Sequence, residues 1–578
     1  MVSRVARTRQ RIVGLSASMA VEGRTPPRGR VLARLAAFGL AGVLQMLSIA
    51  APWNGQPMGW LQLLSLGVLV WQLDGLRAEA SDAAPEDPTR RGRWRSAVLY
   101  AWLFTTVWLA GTFWWLFVSL HTYGGLPAPL AVIAVLALAA GLALYYAAGC
   151  GAYVAWAPRN RFGAAALFAA TWTLGELLRG SWFTGFPWGA GGYAHVDGPL
   201  GRYAPWVGVY GIGAVAAMVA ALAAGGLREL LVRRSESSAS IPFVSAMPVA
   251  AGIAVCIAAP FAFDMLRTHP DDASLARGNL TVALLQGNIP QDEKFVPGGG
   301  IATALRWYGD ELRAATAPLV ITPETALPLL PSQLPGGYLE GIAARYTGGD
   351  QAAIVGLPLR FEEPGSTGAA PTVSYRNAVL GFKPGGGATE PTYRYDKHHL
   401  VPFGEFVPGM FRWFTEMMNI PLGDFRSGGL AQAPFVWKGQ RIAPNICYED
   451  LFGDEIGANF RDAANAPTML LNVSNIAWFG DTVAIDQHLA ISRMRALEFE
   501  RPMVRATNTG ATVAIDHLGR VTASLPRLTR GVLVADVQGR GGITPFAWWV
   551  SRAGLWPLWG AALLTLVVAA AVRLRRGN

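Results

Sequence analysis

Charge is what this chain lacks most. Of 578 residues, 48 are Lys or Arg and 38 are Asp or Glu, 15% in all, against about 25% in ordinary soluble proteins. Lysine is almost missing: Lys294, Lys383, Lys397 and Lys438 are the whole complement. Cysteine is confined to Cys150, Cys256 and Cys447, too few for a disulfide scaffold. His121, His195, His269, His488 and His517 show no ligand spacing with Cys or acid clusters, so no metal and no cofactor is expected. Repeats of the period that marks solenoids are absent. The apolar share of 52% excludes a disordered chain.

The apolar residues come in blocks. Seven precede residue 266, at Leu35 to Pro52, Met58 to Trp71, Ala97 to Leu120, Pro129 to Trp156, Gly163 to Leu178, Ala204 to Leu227 and Phe243 to Phe263, and an eighth runs from Gly554 to Val572. Most can cross about 30 Å of hydrocarbon, the second and fifth only by borrowing flanking aromatics. Arginine tests that count, because loops left on the cytoplasmic side collect it. Arg28, Arg30 and Arg34 precede the first block, Arg90, Arg91, Arg93 and Arg95 follow the second, Arg159 and Arg161 the fourth, Arg228, Arg233 and Arg234 the sixth, and Arg573, Arg575 and Arg576 the eighth. The loops Asn54 to Pro57 and His121 to Gly125 carry no Lys or Arg. The net charge of +10 is therefore read as topology, with both termini cytoplasmic, and no nucleic-acid partner is expected. The first block is read as an uncleaved anchor rather than a signal peptide, since a long apolar series follows.

The expected division is a basic N-terminal segment over 1–34, seven spans over 35–265, an outer domain over 266–547, and a last span with a basic tail over 548–578. The outer segment has its own pattern. Short β-rich runs at Thr281 to Ile289, Pro318 to Thr322, Ala353 to Leu357, Ala378 to Phe382, Ile442 to Cys447, Met469 to Val473 and Val532 to Val537 alternate with helical stretches at Ala302 to Thr316 and Ala484 to Glu500, which predicts an α/β domain.

Cys150 and Cys256 fall in apolar blocks, where a thiol serves as a small packing residue. Cys447 stands at a strand end in Ala443–Asp450 (APNICYED), with no second cysteine in the outer domain. From the cysteine alone a buried free thiol is the commoner reading; a nucleophile needs a cation or base nearby. Lys397 lies in a loop dense in Pro, Gly and aromatics, Tyr395–Pro408 (YDKHHLVPFGEFVP), whereas Lys438 sits in Trp437–Gln440 (WKGQ), a turn with a solvated charge. Glu324 follows the apolar strand of Leu319–Leu327 (LVITPETAL). Strand ends are where α/β domains place sites, although an acid there also opens helices. His398 and His399 offer a Cys–His alternative, but neighbours in an extended loop point opposite ways.

Glu at one strand end, Lys in a Pro/Gly loop and Cys at a later strand end resemble, in order and context, the Glu–Lys–Cys triad of the nitrilase superfamily. With about eight spans around it, the chain resembles the apolipoprotein N-acyltransferase family. Further stretches carry the likeness: Glu176–Trp188 (ELLRGSWFTGFPW), Gln286–Gln291 (QGNIPQ), Leu400–Pro408 (LVPFGEFVP) and Asn472–Gly480 (NVSNIAWFG). The resemblance implies a polytopic α-helical membrane bundle with an extracytoplasmic α/β nitrilase-like αββα sandwich. It implies Glu324 as general base, Lys397 as oxyanion stabiliser and Cys447 as carrier of a thioester, with Glu405, Tyr448 and Glu449 supporting the site. Phe295 stands where the family often has Trp in a lid-like loop, so the ring is kept and the indole donor lost. Phe406 to Met410 and Trp478 are further lid candidates. Arg495, Glu498, Arg501 and Trp478 otherwise read as packing and surface ion pairs.

Glu176 and Arg179 are three apart on a helix and share a face; at membrane depth they are expected to grip a phospholipid head group, to hold the domain on the bundle, or to form a salt bridge. The implied reaction is two-step: a phospholipid donor, phosphatidylethanolamine in the family, acylates Cys447, and the α-amino group of a diacylglyceryl-cysteine apolipoprotein takes the chain, at the bacterial inner membrane with the catalytic domain periplasmic. A membrane-anchored amidase would keep the triad but not need the bundle. A transporter would be expected to carry inverted repeats or broken helices, and neither is visible.

Overall fold

The structure is a computed structural model that describes residues 28–81, 89–236, 243–266, 272–363, 372–385, 390–406 and 425–577. Most of the basic N-terminal segment and the lid candidates 407–410 lie outside the described residues.

Each apolar block becomes a helix: α1 (Arg28–Ile49), α2 (Gly59–Ser81), α3 (Thr89–Thr112), α4 (Ala128–Trp156), α5 (Arg161–Ser181), α6 (Ala204–Glu236) and α7 (Phe243–Leu266) in the first half of the chain. Among the described residues five stretches meet the length and hydropathy needed to cross a membrane: Arg28–Ile49, Ala128–Trp156, Pro199–Leu231, Met247–Met265 and Trp556–Arg575. In lipid the drive to pack helices is close contact rather than water release, and small residues supply it. A Cβ at Gly42 would lie 2.5 Å from the Phe104 carbonyl oxygen, so α1 and α3 approach backbone to backbone there. Trp108 stacks on Trp172 with ring centres 5.6 Å apart, and Tyr146 packs on both, which locks α3, α4 and α5 together.

The second half folds as two six-stranded sheets. One has the order β12-β1-β2-β3-β4-β5, with β1 (Ala276–Gln286), β2 (Leu319–Ile321), β3 (Ala352–Glu363), β4 (Thr372–Phe382), β5 (Tyr393–Asp396) and β12 (Gly531–Arg540). The other has the order β11-β10-β9-β8-β7-β6, with β6 (Phe435–Trp437), β7 (Gln440–Ile446), β8 (Met469–Ser474), β9 (Met503–Thr507), β10 (Val513–Ile515) and β11 (Val521–Ser524). The central strands β1-β2-β3 and β7-β8-β9 are parallel.

Alternation along each strand builds three layers of core. Val282 and Leu284 meet Ile446, Leu471 and Val473 between the sheets. Ala283 and Leu285 face the other way, onto α8 (Gly300–Ala314) and α9 (Tyr338–Thr347). On the far side of the second sheet, Ala443, Leu470 and Met503 pack against α10 (Ala484–Phe499) and α11 (Pro545–Ala553). The result is an αββα sandwich, and strands buried on both faces explain the unbroken apolar runs of β2 and of Met469–Leu471 in β8. The chain leaves it through α12 (Trp556–Gly577). The short strands β5, β6, β9, β10 and β11 and the helices α9 and α11 had no apolar run long enough to announce them.

Helix α10 is wedged between sandwich and bundle, with Ala484, Ile485, Ala490, Ile491 and Met494 in the core formed by the membrane helices. Its polar residues are buried as well. Gln487 Oε1 accepts hydrogen bonds from the indoles of Trp115 (3.0 Å) and Trp188 (2.7 Å). Near the start of α6, Gly208 has φ +66° and a Cβ there would lie 2.4 Å from the Phe546 ring. That break leaves the Val209 N–H without a helical carbonyl, and Glu498 Oε1 accepts it at 2.7 Å while also receiving Arg495 at 2.9 Å. Arg495, Glu498 and Arg501 are thus buried at the junction or under the sandwich, a correction to the expected surface ion pairs. A buried pair needs its remaining polar atoms met; the helix break supplies a donor to Glu498 Oε1 and main-chain carbonyls accept from Arg501, while Arg495 Nε and Glu498 Oε2 are buried without a hydrogen-bond partner.

Candidate active site

Parallel strands aim their carboxyl ends at one edge of the sandwich, where the loops carry side chains that no ladder needs. Glu324 follows β2, Lys397 follows β5, Cys447 follows β7, and Asn475 follows β8. Lys397 Nζ lies 2.9 Å from Glu405 Oε1 and 3.4 Å from Glu324 Oε1. Asn377 Nδ2 donates to both carboxylates, at 2.7 Å each. The Asn475 N–H closes the other Glu324 oxygen at 2.8 Å, and the Val401 N–H does the same for Glu405. Each carboxylate is therefore fixed through both oxygens before any substrate arrives.

Cys447 has φ +55°, a left-handed backbone that strains a side-chain-bearing residue and collects at functional sites. It opens the tight turn Cys447–Leu451. The Ser474 hydroxyl donates toward Sγ at 3.6 Å. Burial and the Glu324 charge push the thiol up to about 12, with Lys397 and Ser474 opposing. Burial also pushes the Glu324 carboxyl up, but Lys397, Asn377, Lys294 and the Asn475 N–H outweigh it and hold the group below the usual carboxylate range. For Lys397, burial disfavours the cation; Glu405 and Glu324 reverse that and keep it charged. The site thus holds a protonated thiol beside an ionised carboxylate and a fixed cation.

Two supports hold this arrangement. Glu449 accepts from the Ile446 N–H (2.5 Å), from the His398 N–H (2.6 Å), from the His399 N–H (3.1 Å) and from the Tyr395 hydroxyl. One carboxylate therefore ties the residue before Cys447 to the residue after Lys397. Beneath the turn, His488 Nε2 lies 2.9 Å from Asp450 Oδ1 and 3.3 Å from the Cys447 carbonyl, and Arg505 reaches Asp450 at 3.3 Å and contacts Ser492. Tyr448 points the other way. Its hydroxyl donates to the Gly185 carbonyl at 2.9 Å, and its ring stacks on Phe186, so the Cys447 turn touches the loop between α5 and α6.

That loop explains Glu176 and Arg179. Glu176 Oε1 accepts the Gly191 N–H at 2.8 Å, while Arg179 donates to the carbonyls of Phe186 (2.7 Å) and Trp188 (2.6 Å) and to Tyr146. Both are fully buried, so they brace the loop rather than face a lipid head group, and each turns to backbone instead of to the other. Trp182 and Phe183, 56% and 78% exposed, are large apolar residues of this loop that face outward. Phe295 is partly exposed at the rim, and Trp478 is half-buried with its ring against Tyr123. His398 and His399 engage the Gly428 carbonyl and Glu455, away from the thiol. Lys438 pairs with Asp350 in a hairpin turn, and Lys383 reaches the Val436 carbonyl.

The residues missed by sequence reading are those that act through the fold. Asn377, Asn475, His488, Asp450 and Arg505 come from five separate segments and no spacing joins them. Lys294 is different, since the scarcity of lysine and its place three residues after QGNIPQ were visible signals. Its ammonium is buried, 3.4 Å from the Glu324 carbonyl oxygen. The QGNIPQ stretch is stitched to the site: Asn508 holds the backbone of Ile289 in both directions, and Gln291 accepts from Asn475 at 2.9 Å. Among the described residues no group of three or more His, Cys, Asp and Glu side chains is placed to hold a metal ion.

Residues 41–222 match the family described as the apolipoprotein N-acyltransferase N-terminal domain, and residues 281–543 match carbon-nitrogen hydrolase. The chain is 56% identical over 523 residues to an apolipoprotein N-acyltransferase of Verminephrobacter eiseniae, covering 89% of this chain and 92% of that one. It is 44% identical over 553 residues to one of Ralstonia nicotianae, covering 95% of each. A third, of Bordetella bronchiseptica, is 39% identical over 589 residues, covering 95% of this chain and 98% of that one.

Proposed function

The chain belongs to the apolipoprotein N-acyltransferase family and is an acyltransferase that N-acylates lipoproteins, and from that premise we propose a ping-pong transfer through a thioester on Cys447. The donor is a phospholipid and the acceptor a lipoprotein; the finer reading is phosphatidylethanolamine as donor and the α-amino group of a diacylglyceryl-cysteine as acceptor.

In the first half-reaction Glu324 takes the Cys447 proton as Sγ attacks the ester carbonyl. The high thiol pKa makes this transfer simultaneous with attack rather than prior to it. Lys397 faces the developing oxyanion. Collapse expels the lysophospholipid alkoxide, which takes the proton back from Glu324. In the second half-reaction the amine attacks the thioester, Glu324 takes an N–H proton and returns it to the leaving sulfur. Glu405 and Asn377 keep Lys397 and Glu324 aligned throughout, while Glu449 and Tyr448 position the nucleophile turn.

The observation that carries this reading is the Tyr448–Gly185 contact. The residue next to the nucleophile rests on a loop whose Trp182 and Phe183 are exposed, and aromatic side chains of that kind sit at the membrane interface. Lipid-borne substrates would reach the thiol there by lateral diffusion. We read the eight long helices as eight spans, with arginine-rich ends in the cytoplasm and the sandwich on the periplasmic side of the bacterial inner membrane. The rim residues Phe295 and Trp478 would shield the thioester from water.

Incubating the purified protein with phospholipid tests the scheme by intact mass. The expected result is one acyl increment on Cys447, removed as amide when a diacylglyceryl-cysteine peptide is added, and neither event in Cys447→Ala. Normal transfer by that variant, or discharge of the label to water alone, would overturn it.

A further inference from the structure

The scheme above puts negative charge on Cys447 Sγ twice: as the thiol proton passes to Glu324 during attack, and again as the carbon–sulfur bond of the thioester breaks. Lys397 is assigned to the carbonyl oxygen and Glu324 to the moving proton, so neither is left to solvate the sulfur. A thiolate out of water is unfavourable unless a donor meets it.

Strand β8 supplies that donor. Alternation puts Leu470, Asn472 and Ser474 on one face of a strand that is buried from end to end, and the face turns polar as it nears Cys447. Both polar residues reach the same neighbour. Asn472 Nδ2 donates to the Cys447 carbonyl at 3.1 Å, which His488 Nε2 also approaches at 3.3 Å, so the main chain of the nucleophile is held from two sides. The Ser474 hydroxyl donates to Sγ at 3.6 Å, a separation that suits the larger sulfur atom. Among the described residues this is the one hydrogen bond at Sγ, and a hydroxyl has a single proton to give. The hydroxyl is not needed to hold its own strand: Ser474 pairs with Thr507 in the ladder to β9, and its carbonyl accepts the Asn508 N–H at 3.1 Å. Next to it, the Asn475 N–H donates to Glu324 at 2.8 Å. Successive residues at one strand end thus serve the sulfur and the base.

We propose that Ser474 is a further catalytic residue, whose hydroxyl donates to Sγ while the sulfur is negative, in the attack on the phospholipid ester and again in departure from the thioester. Its own proton stays on Oγ throughout. In attack the S–H bond breaks, that proton goes to Glu324 and the S–C bond forms. In discharge the S–C bond breaks, its electron pair returns to sulfur, and Glu324 delivers the proton taken from the amine. A donor bonds an anionic sulfur more strongly than a neutral thiol or thioester, so the contact favours the transition states over the ground states. This inference rests on the thioester reading.

The test uses the full-length protein as parent, Ser474→Ala, Ser474→Thr, Glu324→Gln and the Ser474→Ala/Glu324→Gln double variant. Acylation by phospholipid and discharge to a diacylglyceryl-cysteine peptide are timed by mass on Cys447. Ser474→Ala should slow both by about 10-fold with KM for phospholipid little changed, the lower end of what a hydrogen bond to a charged group is worth, and Ser474→Thr should recover most of the rate. Alkylation of Cys447 by iodoacetamide, read by peptide mass, needs the thiolate but no acyl chain, and Cys447 is partly exposed. Ser474→Ala should slow it by about 10-fold, and by the same factor with Glu324→Gln. Alkylation of Ser474→Ala at the parent rate would overturn the inference. A deficit that vanishes in the Glu324→Gln background would overturn it in favour of an effect on the base. Ser474→Thr as slow as Ser474→Ala, or a large fall in the unfolding midpoint of Ser474→Ala, would overturn it in favour of packing. A parent enzyme that never shows acyl-Cys447 would instead overturn the thioester reading beneath it, and the iodoacetamide comparison would still decide whether Ser474 serves the sulfur.

Discussion

Replacing Glu449 with Gln separates holding the site together from doing its chemistry, because Glu449 touches neither the thiol nor the lysine amine yet joins the chain beside each. Its oxygens accept three backbone N–H groups, of Ile446, His398 and His399, and a tyrosine hydroxyl. An amide has one oxygen and one NH2, so whichever way Gln turns, a donor meets a donor and at least one buried N–H is orphaned. Leaving a buried donor unmet costs about 1–3 kcal/mol, and the bonds that survive lose their charge assistance. The orphan will be Ile446 N–H or the His398–His399 pair, and either choice loosens the Cys447 turn from the Lys397 loop. A displacement of about 1 Å at a reacting group costs on the order of 100-fold in rate. Glu449→Gln should therefore lower the unfolding midpoint in detergent and slow Cys447 acylation by about 100-fold, with KM for phospholipid little changed. A stable Glu449→Gln protein that acylates at the parent rate would refute the clamp. Loss of affinity with unchanged turnover would refute it too, since that pattern belongs to substrate binding.

Two further outcomes follow from buried charge. Asp450→Asn removes the carboxylate that faces His488, Ser492 and Arg505, and stranding one member of a buried network costs about 3–5 kcal/mol; thermal unfolding should show a large drop, and an unchanged midpoint would refute the network. Glu498 titrates in the opposite sense to a paired surface acid, because burial pushes it up to about 7 despite Arg495 and the Val209 N–H. Between its unfolded value near 4.5 and about 7 the folded form binds more proton than the unfolded form, so this group's contribution falls as pH rises through that window. Comparing unfolding midpoints at pH 5 and pH 7.5, the parent should lose more on going to the higher pH than Glu498→Gln; an equal loss in both would refute the assignment.

The helices of the apolar blocks were legible because contiguous apolar residues stand out in a sequence, and each of the eight blocks became a helix; among the described residues five stretches are long and apolar enough to cross a membrane. Glu324, Lys397 and Cys447 could be singled out by position at strand ends and by the scarcity of Lys and Cys, whereas Glu405, Tyr448 and Glu449 were named only through the family resemblance. Glu176 and Arg179 show the limit of that reasoning. Helical spacing placed them on one face, but whether the face met lipid, water or protein was not in the spacing, and both proved to be buried against a loop. The short edge strands escaped notice because three or four residues carry no period.

By itself the sequence determined where the chain becomes membrane-like, where it alternates between strand and helix, and which few side chains were rare enough to carry chemistry; these follow from local composition, which hydrophobic burial reads directly. Only the tertiary structure decided that Asn377, Asn475, His488 and Arg505 meet around those residues, that α10 lies between sandwich and bundle, and that Lys294 turns inward. Such contacts join segments tens to hundreds of residues apart, and their energy depends on distance and burial, which exist only once the sheets and helices have closed on one another.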